Sequence, residues 1–279
     1  AHNGFVIVAS ENDTKVDITL SNADNKGHSA KQTFQIILQK GETYAVEGMS
    51  PLASLHLGGS IVKADKPICI TIFDDSVQVG GWDLVGDQIV PIANTGTEFI
   101  LVRGALSSTT NTNTDLFYIW ATEDNTEIFI DGSVLPIKKI NRGEYYEGAL
   151  TATSTYIITS KPAYVFHFTG MGAEATATSV PSIKCTGSNE VSFVRSTAET
   201  FYLNIICKST DVNYFSLNGN NAIINASLFT DVMGAPGWKV ARITYNNLPN
   251  IDALVLSGVA TSITNSAGLF HLGFLNGGT

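Results

Sequence analysis

The chain is poor in the features by which function is usually read. Its 279 residues include three cysteines, Cys69, Cys185 and Cys207, an odd number without Cys-x-x-Cys spacing, which encodes neither a disulfide framework nor a zinc ribbon. Lysine and arginine together number sixteen, no basic run exceeds Lys138-Lys139, and the net charge is −9. A surface of that kind has no phosphate-neutralising stripe, which sets nucleic acid aside as a partner. No apolar run reaches the roughly 18 residues of a membrane span. Glycine-rich nucleotide loops, a nucleophile elbow and an HExxH helix are missing, and no cofactor is implied. The histidines His2, His28, His56, His167 and His271 lie too far apart to form a local ligand pair. Helical periodicity of useful length is absent as well, and no signal peptide or address motif is visible.

What is present is alternation. Short runs rich in Val, Ile, Thr, Phe and Tyr are punctuated every ten residues or so by Gly, Asn, Asp and Ser, the pattern of an all-β chain. Phe5, Ile7 and Ala9 share one strand face, and beyond the turn at Glu11 to Thr14 so do Val16, Ile18 and Leu20. The same writing recurs: "ASENDTKVDITL" from Ala9 returns as "ATEDNTEIFIDG" from Ala121, with Phe117, Ile119 and Ala121 leading in. "LQKGETY" returns as "INRGEYY", "VKADKPICITIF" as "IITSKPAYVFHF", and "VPIANTGTEFILVRG" as "VPSIKCTGSNEVSFVRS". A weaker third copy begins at Phe201 and has lost the Glu-Asp-Asn-Thr turn. The expectation is a tandem array of antiparallel sandwich-like units over residues 1–106, 113–196 and 197–279, with a polar stretch from Ser107 to Asp115 between the first two. Three four-stranded blades would not close a propeller, which favours sandwiches.

Candidate chemistry is sparse. "FDDSVQVGGWDLVGDQIVP" reads as a long glycine-bearing connection that gathers Asp74, Asp75, Asp83 and Asp87 around an exposed Trp82. Such carboxylates could hold calcium, although no calcium-loop spacing is matched; otherwise they cap turns or face water. Trp120 and Tyr118 make the second face of their strand apolar, so that face is either a seam covered by the next unit or an aromatic platform for a sugar ring. Trp82, Asp83, Asp87 and Trp120 are the ligand-binding candidates, with Trp238 as a further stacking surface. His167 and His271 read as hydrogen-bonded strand histidines. Glu11 and Glu123 recur with Asp13 and Asp124 at equivalent turns, which points to architecture. Cys69 and Cys207 read as small buried hydrophobes, and Cys185 could pair with Cys207 in an oxidising compartment.

In this order the motifs resemble a known family. The A-[ST]-E-[DN]-x-T hairpin, then the glycine-glutamate turn, then lysine-proline before an apolar strand, then "DLVGDQIVP" at Asp83 to Pro91, are similar to the amino-terminal domain family of the IgG Fc-binding protein of mucus. The resemblance covers roughly residues 5–200 and is loose beyond. Sparse cysteines resemble the bacterial surface-protein branch. The family implies a non-enzymatic, secreted or cell-surface binding and adhesion module with an extracellular protein or glycan as partner, and it supplies no catalytic residues. The alternative is a carbohydrate-binding or carbohydrate-processing accessory domain, and a third reading is a spacer within a longer surface protein.

Overall fold

A computed structural model describes residues 3–79, 81–106, 114–184 and 186–277. The chain is all-β, with twenty-two strands among the described residues and one short helix, α1 (Ile251–Leu254). The first segment contains β1 (Asn3–Ala9), β2 (Thr14–Thr19), β3 (Thr33–Leu38), β4 (Thr43–Glu47), β5 (Ile61–Ala64), β6 (Ile68–Val79) and β7 (Gly81–Gln88). They form two antiparallel sheets, ordered β4-β1-β6-β7 and β3-β2-β5. The period of two sends Phe5, Ile7 and Ala9 of β1 inward against Val16 and Ile18 of β2, and all five are buried. Each such isoleucine contributes about 1.5–3 kcal/mol by leaving water.

The middle of the chain holds β8 (Gly96–Val102), β9 (Ala105–Leu106), β10 (Leu116–Ala121), β11 (Thr126–Ile130), β12 (Lys138–Ile140), β13 (Tyr145–Ala149), β14 (Ser154–Gly172) and β15 (Glu174–Val180). Here the nineteen-residue β14 passes through both layers, pairing with β8 and β11 in its first half and with β10 and β15 in its second. The last part contains β16 (Glu190–Val194), β17 (Phe201–Lys208), β18 (Phe215–Leu217), β19 (Phe229–Asp231), β20 (Trp238–Ile243), β21 (Ala260–Asn265) and β22 (Phe270–Asn276), in sheets ordered β16-β21-β18 and β19-β20-β17-β22.

The pairing follows one scheme in all three places. β1 lies between β4 and β6, β10 between β13 and β14, and β17 between β20 and β22. Register places Ile7, Ile119 and Ile205 at equivalent points, opposite Ile70, Val165 and Leu272. The third segment shares this three-strand centre but flanks it with β19 on β20, where the first two carry β7 on β6 and β15 on β14. β8 pairs with β14, and β16 pairs with β21, so a strand written at the end of each sequence segment is built into the next.

Two apolar seams join the segments. Val77, Val79 and Val85 of the β6–β7 ribbon pack with Leu116, Tyr118, Phe166 and Phe168 of the second segment. Ile100, Val102, Tyr156 and Ile158 pack with Ile206, Val240 and Trp238 of the third. At each seam two glycine backbones meet where a side chain has no room. A Cβ on Gly59 would lie 2.4 Å from the Gly143 carbonyl oxygen, and one on Gly234 would lie 2.2 Å from the Gly132 nitrogen. All four glycines have positive φ, between +74° and +85°, a region that other residues enter at a cost.

Three sequence expectations change. The glycine-bearing connection around Trp82 is a hairpin, β6 with β7, because its residues alternate inward and outward like any strand pair. Cys69 is exposed, since Ile68, Ile70 and Ile72 take the core-facing parity and leave Cys69 on the outer face; Cys207 is buried with a free thiol. Cys185, and with it any bond to Cys207, lies outside the described residues. Finally, the second face of the Tyr118 strand is covered by the preceding segment rather than the next.

Candidate binding surface

The recurring motifs meet at one end of each of the first two segments. Asp13 and Asn125 hold φ of 54° and 56°, which short polar side chains tolerate, and Thr14 and Thr126 each donate at 2.8 Å to the carbonyl three residues back. The Asn12 side chain accepts from the Lys40 N–H at 3.0 Å, and the Asp124 side chain accepts from the Arg142 N–H at 3.1 Å. Glu42 and Glu144 each accept a backbone N–H at 2.7 Å, from Gln39 and Asn141. The lysine of each lysine-proline pair closes the knot: Lys66 Nζ donates to the Asn12 carbonyl at 2.5 Å and Lys161 Nζ to the Asp124 carbonyl at 2.6 Å. Three motifs far apart in sequence therefore form one turn-locking network. Their acids bind backbone, which is an architectural use.

The structure separates the residues read as a site on β7. Trp82 and Leu84 are 67% and 70% exposed on the outer face. Asp83 and Asp87 point the other way, as the strand period requires, and lie against β15. Asp83 accepts from the Ala175 N–H at 3.3 Å, while Asp87 accepts from the Ser179 N–H at 2.7 Å and the Thr178 hydroxyl at 3.1 Å. Both carboxylates thus satisfy the N–H groups of β15 on its side away from β14, a charged edge treatment familiar in sheets. No group of three His, Cys, Asp or Glu side chains that could hold a metal occurs among the described residues. Trp120 is half-buried, 4.6 Å from the Tyr145 ring centroid and against Gly58 of the first segment. Trp238 is half-buried as well, with Lys208 Nζ 3.8 Å from its ring centroid.

Two buried ionic centres escaped sequence reading. Asp115, written as the end of a polar linker, is fully buried and accepts from His167 Nε2 at 2.9 Å, the Thr169 hydroxyl at 2.6 Å and the Gly104 N–H at 2.6 Å. Burial disfavours its charge, but His167 and the other two donors outweigh burial and hold its carboxyl below the usual range. The rest of the polar linker, residues 107–113, lies outside the described residues. Arg195 is 4% exposed; its guanidinium donates to the carbonyls of Val255, Ala198 and Glu199 at 3.1, 2.7 and 2.6 Å and meets Asp252 at 2.9 Å. Only the repeat of "FILVRG" as "SFVRS" hints at Arg195, because it pairs that residue with Arg103.

A family profile described as IgGFc binding protein matches residues 1–270. The chain belongs to the IgGFc-binding family. No curated protein and no solved structure matches it. The family is one of extracellular binding modules, and no helix among the described residues is long and apolar enough to cross a membrane.

Arg103 and Arg195 each border a recess, of about 490 Å³ and 570 Å³ respectively. Beside Arg103, the third segment intrudes: Arg242 donates to the carbonyls of Arg103 and Gly104 at 2.8 and 2.5 Å. Beside Arg195 lies a cleft of about 570 Å³. Its walls include Tyr202, Tyr245 and Leu256 with Thr200, Asn246 and Asp252. Tyr245, Leu256 and the Asp252 side chain are each at least half exposed. In this IgGFc-binding chain the cleft combines apolar and hydrogen-bonding side chains in one concavity.

Proposed function

We propose that the chain is a non-enzymatic binding and adhesion module, secreted or displayed at the cell surface, that engages an extracellular protein or glycan through the cleft beside Arg195. The observation that carries this reading is the cleft itself. Two tyrosines and a leucine supply apolar contact, and Asp252, Asn246 and Thr200 supply directional hydrogen bonds at its rim. Arg195 fixes the surrounding backbone through bonds to three carbonyls, so the wall is formed before any ligand arrives. Family membership supports a binding role. The use of the repeated Glu42 and Glu144 on backbone N–H groups supports it too, because those acids are not arranged around a reacting centre.

The carbohydrate reading is favoured by one observation, the exposed Tyr245 beside Asn246 and Asp252 in the cleft. On β7 it loses support, since Trp82 stands apart from Asp83 and Asp87. Arrays of glycans, mucins and immunoglobulins probed with the wild-type chain and with Tyr245→Ala test the proposal. Binding to at least one class is expected, weakened tenfold or more by the substitution with Tm unchanged. Silence on all three classes together with hydrolysis of a polymer would end it, as would full binding by the variant.

A further inference from the structure

We infer that the recess beside Arg103 is a second binding site, which takes an acidic sugar, one that carries a carboxylate or a sulfate group. Three stretches distant in sequence build it. Arg103, Gly104 and Leu106 come from the link between β8 and β9 and from β9 itself, Thr151 and Thr153 from the turn between β13 and β14, and Arg242 from β20 of the third segment. At about 490 Å³ the recess has more room than a bare ion needs and falls within the range of pockets that hold small organic ligands.

Charge decides the sign of the ligand. The chain has sixteen Lys and Arg residues and a net charge of −9, yet two arginines line this recess and, among the described residues, no Asp or Glu does. Elsewhere cations meet acids: Lys139 pairs with Glu127, Lys184 with Glu98, Arg195 with Asp252 and Lys239 with Asp231. Arg242 is held differently. Its Nε and Nη2 donate to the carbonyls of Arg103 and Gly104, and its Cζ lies 4.5 Å from the Tyr202 ring centroid. Carbonyls and ring fix the guanidinium without cancelling its charge, so it is in place before a ligand arrives. Its Nη1 hydrogens take no acceptor from the described residues, and a planar guanidinium offers such hydrogens to carboxylate or sulfate oxygens. Asp115 lies behind the Gly104 backbone, where that N–H, the Thr169 hydroxyl and His167 already engage its carboxylate.

The remaining wall selects a sugar to carry that charge. Thr151 and Thr153 are exposed and bring hydroxyls, whereas Leu106 is buried. Hydrogen-bonding groups with little apolar wall suit a ligand covered in hydroxyls, and an aromatic or aliphatic ligand gains little there. The cleft beside Arg195, walled by Tyr202, Tyr245 and Leu256, has the opposite balance.

Calorimetric or ligand-observed NMR titration of the full chain tests this, with glucuronate, a sulfated glucose, neutral glucose and inorganic sulfate as probes. At least one of the two acid sugars is expected to bind with a Kd of ~1 mM, and the tighter of them tells which oxyanion the arginines prefer. Neutral glucose and inorganic sulfate are each expected to bind at least tenfold more weakly. Thr151→Glu places a carboxylate in the recess at an exposed position and should weaken the acid sugar at least tenfold with Tm unchanged; Thr151→Gln, of the same bulk without charge, should weaken it threefold at most. No binding of either acid sugar up to ~20 mM would overturn the inference. So would neutral glucose binding as well as the acid sugars, inorganic sulfate binding as well as they do, or equal loss in the two Thr151 variants. Loss of the acid sugar on Tyr245→Ala would put it in the cleft beside Arg195 and overturn the inference as well. Failure here leaves the reading of that cleft untouched, since none of the Thr151 variants alters its walls.

Discussion

The Asp87 carboxylate accepts the Ser179 N–H at 2.7 Å, linking two residues 92 positions apart and two segments of the array. A hydrogen bond to a charged group contributes about 1.5–3 kcal/mol, and its loss leaves the Ser179 N–H at the β15 edge without its acceptor. Asp87→Ala is therefore expected to lower stability by about 1–3 kcal/mol, and Asp87→Asn, which keeps an oxygen acceptor, by less. Denaturant titration measures the cost. If the bond secures the seam, hydrogen exchange at Ser179 rises while exchange at Ile7, in the first core, stays unchanged. Equal acceleration at both sites would refute a local role.

Acid should act on the array at two stages. Burial lowers the pKa of His271, so its neutral form is favoured in the fold; that stabilisation is complete above the ordinary histidine value of about 6.5 and declines as pH falls below it. The carboxyls of Asp24 and Asp115 are likewise held below their usual range, against burial, by His28 and His167 respectively. Their stabilisation is present above about pH 3.9 and is lost as pH falls through the depressed values. Tm is expected to be flat near neutrality, to fall below about pH 6.5 and to fall again below about pH 4. His271→Gln should flatten the first step only. Asp115→Ala should cost on the order of 3–5 kcal/mol at pH 7, because it strands His167 and two further donors in the interior. A loss under 1 kcal/mol would show that the network is not stabilising.

Gly234 is expected to be intolerant of any side chain. Its φ of +74° already disfavours other residues, and a Cβ would lie 2.2 Å from the Gly132 nitrogen and 2.3 Å from the Asp131 carbonyl carbon, both backbone atoms that cannot rotate away. Gly234→Ala should destabilise by about 2–4 kcal/mol and separate the second and third segments, where Gly219→Ala, with φ of +81° and open space around it, should cost only about 1–2 kcal/mol. Differential scanning calorimetry distinguishes them: Gly234→Ala splits the endotherm into two transitions, and Gly219→Ala shifts a single one. Identical effects of the two substitutions would contradict the close approach.

Much of this architecture is legible in the sequence, for physical reasons that also mark where reading stops. Alternation names Phe5, Ile7, Val16 and Ile18 as core residues because a strand period of two leaves no other arrangement. Recurrence of the Glu-Asp-Asn-Thr turn and of Lys66 and Lys161 marks the knot, since a side chain that must reach a backbone carbonyl is fixed by geometry. The β6–β7 hairpin was hidden by its glycines and aspartates, which read as loop residues until β15 supplies donors to the carboxylates across the seam. Parity along "PICITIF" could have placed Cys69 outward beside the inward isoleucines. Asp115 and Arg195 left no local trace. Their partners, Thr169 and Val255, are brought in only by tertiary pairing, and burial of a charge is paid for by groups that the neighbouring letters do not show.

The passage of β14 through both layers of the middle segment gives the molecule a single spine. Strands in the two layers, β8 and β11 on one side and β10 and β15 on the other, all grip the stretch from Ser154 to Gly172. One scission there would release both layers at once. Most of the spine is buried, and its exposed point, Ser160, is followed at once by Lys161, which is tied into the turn knot, and by Pro162. The same fastening that shapes the turn thus guards the bond whose cleavage would loosen both layers together.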